Sequence, residues 1–87
     1  MSDKPSDWFL YMVRCKNGQI YTGISTDVER RLAEHQAGKG AKYLRGKSPL
    51  KLVYQKKIGS RSEALKAEIV IKNMSKSDKE IIIGNAG

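Results

Sequence analysis

Disulfides, membrane spans and clustered acids are all missing from this chain, and each absence removes a class of function. A single cysteine, Cys15, cannot form an intramolecular disulfide or build a thiolate metal centre by itself. That fits a reducing, intracellular setting and makes Cys15 a small core residue. The longest apolar run, Trp8 to Val13, is far too short to cross a bilayer. The leading residues MSDKPSD lack the basic-then-apolar order of a signal peptide. The expectation is a soluble cytoplasmic protein that does not contact membrane. Only nine acidic residues occur, with no Asp-x-Asp or Glu-x-x-Asp cluster, so the several carboxylates of a two-metal phosphodiesterase are not there. No glycine-rich nucleotide loop follows a strand, and no Ser-His-Asp or Cys-His set is evident, so methyl and acyl transfer find no support. No internal repeat appears.

What the chain does have is positive charge. Seventeen Lys and Arg give a formal net charge of +8 over 87 residues. Such an excess concentrates polyanions at the surface and favours phosphate contacts, which makes nucleic acid the leading partner class. DNA is the expected partner and RNA is possible. A chain this long is one domain near the lower end of what one core can hold. Residues 1–7 read as a polar tail, 8–84 as the domain and 85–87 as a second tail, in a monomer or weak dimer.

Residues 8–15 are almost continuously apolar, the pattern of a strand covered on both faces and central in its sheet. Asn17-Gly18 signals a hairpin, because both residues tolerate positive φ, and Gln19 to Ile24 supplies the return strand. The turn type decides where the tyrosines go. A two-residue loop pairs Lys16 with Gln19 and puts Tyr11 and Tyr21 on opposite faces. A three-residue loop with Gly18 left-handed pairs Cys15 with Gln19, sets Tyr11 opposite Gly23 and places both tyrosines on one face. If the tyrosines share a site, the second register holds.

Thr26-Asp27-Val28-Glu29 fits a capping box opening a helix from about Asp27 to Ala37. At about 100° per residue, Val28, Arg31, Leu32 and His35 share one arc while Arg30 points away. Residues 38–49 form a Gly-rich, Lys/Arg-rich loop, a composition expected to follow a phosphate backbone rather than to pack a core, with Tyr43 available to stack on a base. Lys39, Lys42, Tyr43, Arg45 and Lys47 of this loop, with Arg14 of the first strand, are the candidate nucleic-acid contacts. Leu50 to Lys57 alternates as a third strand. Ser60-Arg61-Ser62-Glu63 opens a helix to about Met74, and Ser77-Asp78-Lys79-Glu80 opens a last helix through Ile83 that Gly84 stops. The fold class is α+β in the order ββαβαα: a small three-stranded antiparallel sheet flanked by helices.

Glu68 is the acid out of place, between Leu65 and Ile71 and one turn after Ala64 in an apolar arc. A carboxylate aimed at a core boundary must find a cation, a donor or a metal. Tyr11 and Tyr21 in the triplets Phe9-Leu10-Tyr11 and Tyr21-Thr22-Gly23, then Arg31 and Glu68 on the two helices, fall in a register that resembles the GIY-YIG nuclease family. The resemblance covers Trp8 to Ile83 and is nearest to the small single-domain bacterial members. Phe9, Leu10 and Thr22 replace the eponymous Gly, Ile and Ile, and no residue matches the Asn that repair incision members carry after the Glu. The resemblance implies a metal-dependent endonuclease with Glu68 holding one Mg²⁺ or Mn²⁺. It implies further that Tyr21 helps deprotonate the attacking water, Tyr11 positions it or binds phosphate, and Arg31 holds the scissile phosphate. His35 would contact phosphate or share the base role, and equally suits a satisfied histidine at the core edge. Which of Tyr21, Tyr11 and His35 is the base stays open. The rival reading is a basic nucleic-acid-binding module or adaptor that keeps the fold without the chemistry.

Overall fold

Three strands and three helices follow in the order anticipated from the sequence, in a computed structural model that describes residues 7–86. The strands are β1 (Trp8–Arg14), β2 (Ile20–Ser25) and β3 (Lys51–Gly59); the helices are α1 (Val28–Gln36), α2 (Arg61–Lys72) and α3 (Lys76–Ala86). Residues 1–6 of the tail expected at 1–7, and Gly87 of the tail expected at 85–87, lie outside the described residues. The sheet order is β2-β1-β3, all antiparallel, so the continuously apolar β1 takes the central place that its two-sided hydrophobicity requires.

The hairpin adopts the three-residue loop. Gly18 sits at φ 89°, the Cys15 N–H donates to Gln19 O at 2.8 Å, and Tyr11 pairs with Gly23 while Val13 pairs with Tyr21. Alternation then puts Tyr11, Val13 and Cys15 on one face of β1 and Leu10, Met12 and Arg14 on the other. The first face builds a core with Val28 of α1 and with Leu44 and Leu50. On the second side α2 leaves a cavity that Ala67, Val70 and Ile71 line together with Leu10, and α3 reaches that face through Glu80.

The connector between α1 and β3 departs from expectation. Despite its glycines and lysines it carries a single 3-10 turn, Lys42–Leu44, whose Leu44 is 1% exposed in the core with Ala41 packed beside it. A single leucine in a polar segment gives no periodic signal, yet its burial is worth roughly 1.5–3 kcal/mol and fixes the loop to the body. Gln36 closes the other end: its amide donates to Leu50 O at 2.9 Å, and its carbonyl oxygen accepts from the Leu50 N–H at 3.1 Å. Leu44→Ala is expected to cost about 2–5 kcal/mol by urea denaturation, a large fraction of the stability of so small a domain.

Helix starts shift by a residue or two. Asp27, not Thr26, caps α1, accepting from the Arg30 N–H at 3.1 Å, because Ser25 in turn holds the Asp27 N–H and turns the chain there. Ser60 and Glu63 form the anticipated capping box of α2. Ser75 rather than Ser77 caps α3 by accepting from the Asp78 N–H, and the helix continues through Gly84 to Ala86.

Candidate active site

Tyr11 is 1% exposed, and its ring lies across the backbone of Gly23 on the neighbouring strand. A Cβ on Gly23 would stand 2.6 Å from the Tyr11 hydroxyl oxygen and 2.7 Å from its Cζ, so glycine is what lets the ring through. Tyr21 lies beside it at a ring separation of 6.4 Å, and His35 from α1 completes a triangle, 6.1 Å from Tyr11 and 5.5 Å from Tyr21.

His35 is itself 1% exposed and held at both nitrogens. Nδ1 accepts from the Ala41 N–H at 3.2 Å, and Nε2 lies 2.9 Å from the Tyr11 hydroxyl. A neutral imidazole that accepts at Nδ1 carries its proton on Nε2, so His35 donates to the Tyr11 oxygen. The Tyr11 proton is thereby free to point elsewhere. Burial first, and then the charge of Arg31, lowers the His35 pKa and keeps the ring neutral. The unfolded chain thus takes up a proton near pH 6.5 that the folded chain refuses, so stability falls as pH drops below that value. Denaturation midpoints at pH 7.5 and pH 5 are expected to differ more in the wild type than in His35→Gln.

Desolvation first, then the neighbouring Tyr21 and, more weakly, Glu68 raise the Tyr11 pKa to about 12 against the opposing influence of Arg31. Those influences bring the four residues into one electrostatic unit. Arg31 stands on the margin of the buried face of α1, where Nη1 donates to Glu34 at 2.9 Å while the guanidinium also acts on the Tyr11 hydroxyl. Glu68 comes from α2, which packs against β2 and β1. Its side chain is 16% exposed and meets Lys72 at 3.2 Å, one turn on. A salt bridge to arginine, one alternative for this acid, is thus replaced by a lysine of its own helix.

The basic loop divides. Tyr43 stacks on Tyr21 at 6.0 Å, carries Lys47 Nζ at 3.7 Å from its ring centre and donates its hydroxyl to Gln19 at 2.7 Å. It extends the aromatic cluster and is already engaged, rather than standing free to stack on a base. Lys39, Lys42 and Arg45 are exposed on the same loop, with no acidic partner among the described residues. Arg14 does not join them. Strand alternation turns it to the opposite face, where it grips Glu80 through two bonds of 2.6 and 2.8 Å and holds that carboxyl below its ordinary range.

Two features of the site escaped the sequence. Gly40 lets the backbone cross His35, since a Cβ there would overlap Nδ1, and the Ala41 N–H then fixes the tautomer. Glu34 competes for Arg31. The Gly38-Lys39-Gly40 run is the only trace of the first, and it is indistinguishable in sequence from a flexible connector.

The model of the GIY-YIG catalytic domain matches residues 7–81. A UPF0213 protein of Serratia liquefaciens is 55% identical over 85 residues, 98% of this chain and 83% of that protein. One of Yersinia pseudotuberculosis is 57% identical over 83 residues, 95% of this chain and 85% of the relative. Among solved structures, a UPF0213 protein of Bacillus halodurans superposes with a TM-score of 0.61 at 41% identity, covering 93% of this chain and 86% of that one. A protein of E. faecalis superposes at 0.64 with 37% identity, covering 98% and 90%.

Proposed function

The chain belongs to the GIY-YIG family, a nuclease family whose substrate is nucleic acid, and from that premise we propose that it hydrolyses phosphodiester bonds of DNA by one in-line attack of water at phosphorus. The observation that carries the reading is the convergence of Tyr11, Tyr21, Arg31, His35 and Glu68, drawn from two strands and two helices, around one buried hydroxyl.

In this reading the phosphate docks against Arg31, whose planar fork suits both the ground state and the extra charge of the pentacovalent transition state. Binding requires Arg31 to exchange Glu34 for a phosphate oxygen. The attacking water gives its proton to a phenolate, the P–O bond to the leaving strand breaks, and the departing oxygen takes a proton from solvent. A phenol in water ionises near pH 10, so a tyrosine serving as base needs positive charge beside it. Tyr11 is too buried for that part at neutral pH, with its pKa near 12. Its hydroxyl, oriented by His35, positions the water, and Tyr21 is the base. His35 has neither a free lone pair nor an exposed edge, so its contribution is to hold Tyr11.

Among the described residues no three His, Cys, Asp or Glu side chains come together as a metal cluster. Glu68 alone, 16% exposed and acting electrostatically on Tyr11, suits a single oxygen-preferring ion whose other ligands are water and phosphate. Mg²⁺ or Mn²⁺ held there would supply charge to the phosphate oxygens. Nicking of supercoiled plasmid and of a labelled fork, with Mn²⁺ and with EDTA, tests the proposal. No cleavage of duplex, branched or single-stranded DNA with either metal would overturn it.

The binding-module reading draws on a different observation: Arg31 and Glu68 each already hold an oppositely charged partner, Glu34 and Lys72. It requires salt-sensitive DNA binding that ignores both EDTA and Glu68→Ala.

A further inference from the structure

Beside the tyrosines, on the far side of Tyr43, a cleft of about 200 Å³ is lined by Gln19, Ile20, Tyr43, Lys76 and Lys79. None of the chemistry above uses it. Lys76 and Lys79 come from the first turns of α3 and face Gln19 and Ile20, at the start of β2, across the cleft. Lys76 Nζ is 3.7 Å from Glu80, which Arg14 already holds, and Lys79 has no acidic partner among the described residues. The Gln19 carbonyl oxygen accepts from Tyr43 at 2.7 Å and from Asn17 at 3.1 Å. Its amide nitrogen is left as a donor with no partner among the described residues. The lining offers cations, an amide donor and an aromatic wall, and no carboxylate. That set selects an anion, and the nearby carboxylate, Glu80, does not line the cleft and is held by Arg14 through two bonds.

The cleft connects to the candidate active site by way of the edge strand. Tyr21 and Ile20 are consecutive on β2 and face opposite sides of the sheet, one toward Tyr11 and the other into the cleft. Tyr43 bridges them, stacked on Tyr21 through its ring and forming a wall of the cleft. A strand whose scissile phosphate lies at Arg31 and the tyrosines can round the β2 edge past Tyr43 and arrive at Lys79.

We propose that this cleft is a second phosphate subsite, in which Lys79, Lys76 and the Gln19 amide hold a backbone phosphate flanking the scissile one on the same nucleic-acid strand. The inference rests on nucleic acid being the ligand of the tyrosine face, as proposed above, and extends it to a substrate that must continue past Tyr43. Lys79 and Gln19 are positioning residues, remote from the reacting atoms.

The test is binding of a labelled single-stranded oligonucleotide in EDTA across a salt series, for wild type, Lys79→Gln, Gln19→Ala and Lys56→Gln. Lys56 pairs opposite Leu10 at the other end of β1 and removes the same charge elsewhere. The subsite requires Lys79→Gln to weaken binding about tenfold and to reduce the slope of log affinity against log salt by about 0.7, the loss of one single-strand phosphate contact. Gln19→Ala should weaken binding without changing that slope, and Lys56→Gln should leave both unchanged. Equal losses in Lys79→Gln and Lys56→Gln would mean diffuse attraction and overturn the subsite. Parallel cleavage assays separate the two proposals. Glu68-dependent cleavage with wild-type binding by Lys79→Gln removes the subsite and keeps the nuclease. Loss of binding in Lys79→Gln alone, in a wild type that never cleaves, removes the nuclease and keeps the subsite.

Discussion

Glu68→Gln is expected to lower metal-dependent cleavage by at least about 10³-fold while leaving DNA affinity in EDTA within about twofold. The substitution keeps the shape and hydrogen-bonding reach of the side chain and removes its charge. A hard divalent cation depends on charged oxygen donors, and Glu68 is the carboxylate at the site not committed to Arg31, since Glu34 is. Losing one well-placed charge stabiliser in an active site costs about 10²–10³ in rate, and the sole protein ligand of a metal should exceed that. Lys72 gives the experiment a second arm. It sits 3.2 Å from Glu68, so it competes with a cation for the carboxylate, and Lys72→Met should lower the metal concentration needed for half-maximal cleavage. A Glu68→Gln protein that cleaves like the wild type would remove the metal role. If it lost DNA binding along with cleavage, Glu68 would instead be a structural partner of Lys72.

Gly23→Ala should reduce cleavage about 10²-fold in a protein that still folds. The added methyl would sit inside contact distance of the Tyr11 hydroxyl and ring, and that ring has nowhere to retreat. Its far side is held by His35, which the Ala41 N–H pins, and its neighbours Val13 and Val28 are in the core. Overpacking of this kind costs about 1–3 kcal/mol in stability. The larger effect falls on catalysis, because a displacement near 1 Å of a group that orients the nucleophile is worth about 10² in rate. Loss of the Tyr11–His35 hydrogen bond, seen as a shift of the His35 ring resonances by NMR, should accompany the loss of activity. A Gly23→Ala protein with wild-type rate and unshifted His35 resonances would mean that Tyr11 is a packing residue.

Periodicity and turn chemistry made most of the scaffold legible. The apolar run of β1 announced a central strand, Asn17-Gly18 announced a hairpin, and the register that Tyr11 and Gly23 adopt is the one expected on the condition that the two tyrosines share a site. Those signals are local, and local backbone preference together with two-faced burial is what writes them into the residues. Helix starts slid by a residue or two at Asp27 and Ser75, because neighbouring hydroxyl and carboxylate caps differ little in energy and tertiary packing chooses between them.

The residue types of the candidate site, Tyr11, Tyr21, Arg31, His35 and Glu68, were also named from sequence. What each of them touches was not. Arg14 looked as basic as Arg31, but strand alternation combined with the docking of α3 sends it to Glu80 on the other face. The connector looked unable to pack, yet one leucine anchors it, Gly40 lets it cross His35 and the Ala41 amide sets that ring's tautomer. Lys76 and Lys79 belonged to an ordinary helix start until the hairpin met it. The sequence by itself therefore determined the elements, their order, the central strand and the chemical inventory, all of which depend on neighbours in the chain. Only the tertiary structure decided which charges are paired, which phenol is buried and which glycines leave room for a ring, because those depend on contacts between residues whose sequence separation carries no pattern.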